Sequence, residues 1–194
     1  MNPKYRRDMM IYLIDFENVS NGGFNGIENL TEKDEIKLFY SEKRSTISIG
    51  VHRKLEGSRA KKEYLPIKTG GKNALDFQLV TWLGYMIARN ENAEYCIVSN
   101  DTGFDYAIDF WEKRGARVMR SADLNGVQMK HMREKLKELL PAETRDEADR
   151  IMELISKYKT KQGINNALVK KYGSEDAGVI YKSIRPMLAG KKGK

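Results

Sequence analysis

The chain contains little cysteine or histidine, and it has no apolar run near the roughly 20 residues that span a bilayer. Its single cysteine, Cys96 in the apolar run EYCIVSN, excludes an intramolecular disulfide and a cysteine-rich zinc site. His52 lies in a basic stretch and His131 in a charged helical segment, so we expect surface roles for both. The opening residues MNPKYRRD lack the apolar core of a signal peptide. We expect a cytoplasmic protein without membrane association.

Charge is distributed unevenly along the 194 residues. The formal net charge is +8, and residues 157–194 hold ten Lys or Arg against Glu175 and Asp176. The C-terminal segment therefore carries the whole net charge, and residues 1–156 are neutral. Lysine and arginine near phosphates release condensed counterions, which favours a polyanionic partner. A solubilising tail is the alternative interpretation.

Five short runs rich in β-branched and aromatic residues alternate with helical periodicity. They read MMIYLI, EIKLFYS, KKEYLPI, EYCIVS and ARVMRS. This alternation predicts an α/β fold, with a parallel sheet of about five strands and helices on both faces. Helices are predicted near 73–88, from Phe104 to a stop at Gly115, and over 127–140. Pro141 then ends a first domain of residues 1–140.

The pattern after Pro141 is purely helical. Three short helices are predicted over residues 141–188, with Gly173 as a stop and Ser174 as the next N-cap. Residues 189–194 form a basic tail that we expect to be disordered. A small bundle of this kind can bind nucleic acid, form a homodimer or brace the sheet, and the pattern does not choose among these roles.

Four aspartates stand where the predicted strands end or helices begin. Asp15 ends the first strand, Asp101 follows the fourth, Asp105 comes one helical turn later, and Asp76 opens the long helix before the fourth strand. Open α/β sheets bind ligands at the carboxyl edge, so we expect these side chains to converge there. Clustered carboxylates repel one another unless a cation offsets the repulsion, and hard oxygen ligands favour Mg²⁺ or Mn²⁺ over zinc.

Each acid also has an ordinary structural interpretation. Asp15 fits a turn or cap, and Asp101 fits the N-cap of the following helix. Asp76 fits a first-turn acid stabilised by the helix dipole. That role does not explain why Asp76 shares a helical stripe with the apolar positions 80, 83 and 87, which favours a site.

Residues next to these acids are candidates for supporting roles. Asn18 is placed to fix Asp15 by hydrogen bonding or to hold a water, and Ser99 and Thr102 flank Asp101. We expect Glu17 to point elsewhere, on the surface or behind the site. Asn73 is placed to act as the N-cap of the helix that carries the second acid.

Three segments resemble the PIN-like nuclease superfamily, including its NYN branch: IYLIDFENV, GGKNALDFQLV and SNDTGFDYAIDFW. Such chains open with a strand ending in Asp and a nearby Asn, and later show an Asp-bearing helix and a Ser-x-Asp segment. The resemblance covers residues 9–125 and implies a Rossmann-like sheet whose acids bind Mg²⁺ or Mn²⁺ and cleave RNA. The family commonly has an Asp where this chain has Gly103, and Asp105 is the candidate substitute.

The function predicted from these observations is a metal-dependent endoribonuclease. Asp15, Asp76, Asp101 and Asp105 are the predicted metal ligands and catalytic residues, with water attacking the phosphodiester in line. A non-catalytic nucleic-acid-binding module of the same fold is an alternative. A structure-specific DNA nuclease is another, because the same carboxylates serve chemistry that needs no 2′-hydroxyl.

A basic stretch between the second strand and the long helix is the predicted grip on the nucleic acid. We expect it to approach the acidic edge, where cations offset the repulsion between carboxylates and phosphates. A solvated, charged helix and hairpin is the alternative. The predicted binding residues are Arg53, Lys54, Arg59, Lys61, Lys62, Lys68 and Lys72.

Overall fold

The computed structural model describes residues 9–67, 71 and 73–193. The chain divides into two compact units, one ending at Val127 and the other beginning at Gln128. The division lies inside a helix, upstream of the boundary expected at Pro141. Leu136 and Leu140 account for the difference, because they pack with the helices that follow rather than with the sheet.

A five-stranded parallel sheet forms the centre of the first unit and confirms the predicted fold class. The strands are β1 (Met10–Asp15), β2 (Glu35–Ser41), β3 (Lys61–Ile67), β4 (Glu94–Val98) and β5 (Arg117–Ser121), in the order β3-β2-β1-β4-β5. Every residue of β1 is buried because this strand is central and covered on both faces. Its alternate side chains enter two separate cores.

Helices cover both faces of this sheet. They are α1 (Phe16–Val19), α2 (Ile49–Gly57), α3 (Ala74–Arg89), α4 (Phe104–Glu112) and α5 (Leu124–Leu139). One face packs against α1, α2 and the first turn of α5, and the other against α3 and α4. No helix in the described part of the chain is long and apolar enough to cross a membrane.

Helix α3 differs in detail from its prediction. Asn73 occupies the N-cap position, but its backbone is left-handed at φ 63° and its side chain makes no capping hydrogen bond. The fully buried row is Leu75, Leu79, Leu83 and Ile87. The expected stripe through positions 76 and 80 lies at the flank of this row. Asp76 is therefore half-buried at the border between core and solvent.

Helix α4 follows its prediction more closely. It runs from Phe104 to Glu112, and the turn that follows it ends at Gly115, where φ is 85°. Phe104 and Ile108 are buried, and the half-buried Trp111 packs against the same core. The left-handed backbone at the end explains why glycine stands there.

The second unit contains two further helices, α6 (Ala148–Lys157) and α7 (Lys161–Ile184). Short 3-10 helices precede α6 (Ala142–Glu147) and follow α7 (Arg185–Leu188). Gly173 interrupts α7 with φ 80° and ψ 169°, which no helical residue adopts. The interruption stands at the predicted stop and divides the element into two helices.

The C-terminal tail pairs with the start of α7. The Lys161 N–H donates to the carbonyl of Lys192 at 2.8 Å, and Lys191 Nζ donates to the carbonyl of Tyr158 at 2.9 Å. These hydrogen bonds join Lys191 and Lys192 to the residues before and at the start of α7, and disorder over residues 189–194 stays a prediction.

Candidate functional site

Carboxylates gather where the carboxyl ends of β1 and β4 meet the starts of α1, α3 and α4. We call this place the acidic edge and define it by Asp15, Glu17, Asp76 and Asp101. Asp15 is the last residue of β1 and is only 3% exposed. A buried carboxylate at the end of a central strand requires hydrogen-bond partners.

Both oxygens of the Asp15 carboxylate accept hydrogen bonds. Ser99 Oγ donates to Oδ2 at 2.8 Å, and the backbone N–H of Asn18 donates to Oδ1 at 3.3 Å. The Asn18 side chain in turn accepts from the N–H of Asn100 at 2.9 Å, which fixes the loop after β4. The side chain expected to support Asp15 thus acts on a neighbouring loop, while its backbone contacts the acid.

The environment of Asp15 disfavours its charged form. Burial raises the pKa from 3.8 to about 6, despite the opposing hydrogen bonds from Ser99 and Asn18. The negative charges of Asp76 and Glu17 raise this pKa further. Three carboxylates from β1, α1 and α3 are therefore close enough to interact electrostatically.

Asp76 and Asp101 extend this interacting group. Burial raises the pKa of Asp76, and the charges of Asp101 and Glu17 add to the effect. Asp101 Oδ1 accepts from the N–H of Gly103 at 2.7 Å, and the Asp101 N–H donates to Ser99 Oγ at 3.1 Å. A single hydroxyl thus contacts both the buried acid of β1 and the backbone of the exposed acid after β4.

Glu17 is the functional candidate that sequence reasoning missed. Its charge contributes to the raised pKa of both Asp15 and Asp76, so its carboxylate lies near these acids, and the expected position on the surface or behind the site stays a prediction. Ser41 Oγ donates to its Oε1, and Arg44 Nη1 donates to its carbonyl at 2.7 Å. These partners follow 24 and 27 residues later in the chain, so no local pattern indicates the direction of the side chain.

Asp105 lies in a different arrangement from the other three predicted aspartates. Arg120 Nε donates to its Oδ1 at 2.7 Å and Arg120 Nη2 to its Oδ2 at 3.0 Å, which lowers the pKa of the Asp105 carboxyl. Arg120 Nη1 also donates to the carbonyl of Ser99 at 3.2 Å. One guanidinium thus engages both oxygens of Asp105. The exposed Thr102 accepts the Asp105 N–H through its carbonyl at 3.0 Å.

The carboxylate oxygens of the acidic edge are chemically suited to bind a hard divalent cation. Carboxylate oxygens are the ligands that Mg²⁺ and Mn²⁺ prefer. Burial, and to a smaller extent mutual repulsion, raises the pKa values of Asp15 and Asp76, and a bound cation favours the charged form of both. Within the residues described, however, no three Asp, Glu, His or Cys side chains already stand in a metal-binding group. These acids affect one another's pKa, but their side chains do not form a ready-made set of metal ligands.

Two of the predicted nucleic-acid-binding residues lie at the wrong edge of the sheet. Lys61 and Lys62 open β3 and pair in register with Glu35 and Ile36, whereas the acidic edge is at the other end of the strands. Lys61 forms an ion pair with Glu35 at 3.4 Å, and Lys62 donates to the carbonyl of Ser58 at 2.8 Å. The expectation that they approach the acidic edge is therefore wrong.

The remaining basic residues form ion pairs with other acids, are exposed on α2, or lie outside the described residues. Lys54 pairs with Glu28 at 3.8 Å and Arg59 pairs with Glu32 at 3.6 Å. Arg53 is exposed on α2. Lys68 and Lys72 are outside the described residues. Nucleic-acid binding by this stretch stays a prediction.

Comparison with known proteins adds one finding. The family model described as a PIN domain matches residues 9–121, which contain all five strands and the four acids of the acidic edge. Searches among curated proteins and among solved structures found no match.

Proposed function

Since the chain belongs to the PIN domain family, we propose that it is a metal-dependent endoribonuclease. The PIN domain is generally a metal-dependent nuclease fold and usually uses divalent ions. The observation that carries the proposal is the gathering of Asp15, Asp76 and Asp101 at the carboxyl edge of the sheet, where Ser99 Oγ donates to Asp15 Oδ2 and accepts from the Asp101 N–H. Carboxylates held close together repel one another, and a bound cation would offset that repulsion.

In this proposal Asp15, Glu17, Asp76 and Asp101 would hold one or two Mg²⁺ or Mn²⁺ ions. When bound, the cation would supply charge stabilisation for the phosphodiester oxygens and would activate the attacking water. Ser99 and the Asn18 backbone keep the buried carboxylate in one orientation through the hydrogen bonds described above.

Asp105 has a positioning role in this proposal. Together with Arg120 it fixes the carbonyl of Ser99, whose hydroxyl contacts the acid of β1. The guanidinium also leaves a positive charge close to Asp101, where the phosphate of a substrate would otherwise meet only carboxylates.

RNA is the proposed substrate because the segments around the acids resemble the NYN branch of the superfamily. The basic C-terminal unit supports a polyanionic substrate, since ten Lys or Arg stand within residues 157–194. A cytoplasmic location belongs to the same proposal.

Cleavage of end-labelled RNA tests the proposal. Single-stranded and hairpin RNAs, with matched DNAs, are incubated with Mg²⁺, Mn²⁺ or EDTA and resolved on denaturing gels. We expect metal-dependent RNA fragments from the wild type and from Asp109→Asn, an exposed acid of α4 paired with Lys113. Asp15→Asn and Asp76→Asn are expected to abolish them. Products that persist in either variant would refute the site, and cleavage of DNA alone would refute the substrate.

A non-catalytic nucleic-acid-binding module is the second candidate. It is favoured by the absence of a ready metal-binding group among the described residues. RNA that binds in a gel-shift assay but stays intact with both metals would establish this candidate in place of the first.

A further inference from the structure

Lysines gather around the turn between α6 and α7 in the second unit. Lys157 ends α6, Lys161 begins α7, and Lys159 lies between them. Two lysines near the C-terminus of the chain return to this turn. We call the five residues the lysine cluster, which consists of Lys157, Lys159, Lys161, Lys191 and Lys192.

Contacts between the two segments hold the lysine cluster together. The N–H of Lys161 donates to the carbonyl of Lys192 at 2.8 Å. Nζ of Lys191 donates to the carbonyl of Tyr158 at 2.9 Å, and Nζ of Lys157 lies 6.0 Å from the centre of the ring of the same tyrosine. The amines of Lys157 and Lys191, which are 34 positions apart in the sequence, therefore both lie beside one residue.

The five lysines start from a small region. Thr160 forms a parallel β-bridge with Lys192, and bridged segments lie about 5 Å apart. Residues 157–161 span at most about 14 Å even when fully extended. The Debye length is about 8 Å at physiological ionic strength, and each ammonium stands on a flexible four-carbon stem. The positive potentials of the five amines therefore overlap.

No acid offsets this charge. The chain has no Asp or Glu between Glu153 and Glu175, and none after Asp176. None of the five amines forms an ion pair with a carboxylate in the part of the chain that the structure describes. Lys171 of the same unit, in contrast, pairs with Glu147 at 3.7 Å. The lysine cluster is therefore a concentrated positive charge that a polyanion would neutralise.

The surroundings of the lysine cluster favour contacts to phosphates rather than to bases. Tyr158 is half-buried and packs against the hydrophobic core of the second unit, and no aromatic side chain among the described residues of this unit is strongly exposed. Contacts to phosphates need no such ring and carry no sequence information. A membrane surface fits less well, because no large apolar side chain is exposed in the described segments 154–164 and 185–193.

We propose that the lysine cluster binds the phosphate backbone of a nucleic acid and forms a second binding surface besides the acidic edge. This inference rests on the proposed function, because it assigns to the second unit the task of holding the substrate of that site. The amines bind through charge and read neither the bases nor the 2′-hydroxyl. The lysine cluster therefore adds affinity for RNA and DNA alike.

Equilibrium binding in EDTA tests the inference separately from cleavage. Fluorescence anisotropy gives the Kd of the full chain for a 5′-labelled oligouridylate, and for an oligodeoxythymidylate of equal length, at several salt concentrations. The test variant combines Lys159→Ala with Lys192→Ala, because both side chains are exposed and form no hydrogen bond or ion pair within the described residues. The control variant combines Lys33→Ala with Lys113→Ala, which removes the same charge from exposed positions of the first unit.

The expected change follows from counterion release. Each lysine that contacts a single-stranded backbone contributes about 0.7 to the slope of log Kd against log salt concentration. We expect the test variant to lower this slope by about 1.4 for both oligonucleotides, which raises the Kd about 25-fold when carried from 1 M down to 0.1 M salt. The control variant is expected to bind as the wild type does. Lys159→Arg combined with Lys192→Arg keeps the charge and is expected to do the same.

A test variant with the Kd and salt slope of the control would overturn the inference, as would weakening confined to one of the two oligonucleotides. Vesicles of phosphatidylcholine and phosphatidylserine cover the alternative partner, a membrane. Loss of vesicle binding in the test variant with RNA binding unchanged would also overturn the inference. Failure of the proposed function is distinct: RNA would then bind through the lysine cluster but stay intact with Mg²⁺ or Mn²⁺.

Discussion

The substitution Asp15→Asn is expected to stabilise the metal-free protein at neutral pH, although it is expected to abolish activity. The folded state holds the proton of Asp15 more tightly than the unfolded chain does, since its pKa rises from 3.8 to about 6 on folding. Stability therefore falls as the pH rises through this range. Below about pH 3.8 the side chain is neutral in both states and the penalty is absent, whereas above pH 6 the penalty is complete.

The size of the effect follows from the two pKa values. Their difference corresponds to about 3 kcal/mol of unfolding free energy at pH 7.5. Asparagine keeps one oxygen that accepts from Ser99 but presents an amide to the N–H of Asn18, which costs about 1 kcal/mol. The net expectation is a variant about 2 kcal/mol more stable than the wild type, an advantage that disappears near pH 4.

Urea unfolding in EDTA, followed by circular dichroism, measures this difference at pH 7.5 and pH 4. Asp109→Asn removes an exposed acid and is expected to leave the urea midpoint unchanged at both values. Addition of Mn²⁺ is expected to raise the midpoint of the wild type and not that of Asp15→Asn, because only the wild type retains the acid that binds the ion. A variant that is less stable than the wild type at pH 7.5 in EDTA would refute the reasoning.

Three further predictions concern the neighbouring contacts and the C-terminal unit. Asp101→Asn is expected to weaken Mn²⁺ binding at least about 10-fold, measured by calorimetric titration. Asp105→Asn is expected to leave Mn²⁺ binding unchanged and to lower the urea midpoint. Equal losses of Mn²⁺ affinity in the two variants would make both acids ligands. Ser99→Ala removes a buried hydrogen bond and is expected to cost about 1–2 kcal/mol of unfolding free energy. Gly173→Ala is expected to cost about 1 kcal/mol because φ is 80° there, whereas Gly178→Ala, in open space within α7, is expected to be neutral or stabilising.

The sheet was predictable because its signals are local. The central strands β1 and β4 are short apolar runs because they are buried, and all five runs predicted as strands coincide with strands of the structure. Gly115 and Gly173 were predictable as stops for the same reason, since a left-handed backbone at one residue favours glycine. The division between the compact units was not predictable from Pro141, because the packing of Leu136 and Leu140 depends on helices later in the chain.

The positions of the acids in the fold were predictable, whereas the directions of their side chains were not. Asp15 ends the buried strand β1 and Asp101 follows the buried strand β4, and parallel pairing brings the carboxyl ends of these two strands to one edge of the sheet. The directions of Glu17 and Asp105 depend on Ser41 and Arg120, which reach them only after the sheet has formed. Sequence spacing gives Asp101 and Asp105, which flank Gly103, the same expected role. The contact between Asp105 and Arg120 of β5 distinguishes them.

The same dependence on long-range contacts explains the charge pattern at the acidic edge. Arg120 is a cation whose charge interacts with Asp105 and Asp101, and β5 places it there by pairing in parallel with β4. Lys61 and Lys62 follow the same rule of parallel pairing and are carried to the opposite edge, although they are nearer in sequence to Asp76. Strand direction, rather than local charge density, therefore decides which cations can meet a phosphate beside the carboxylates.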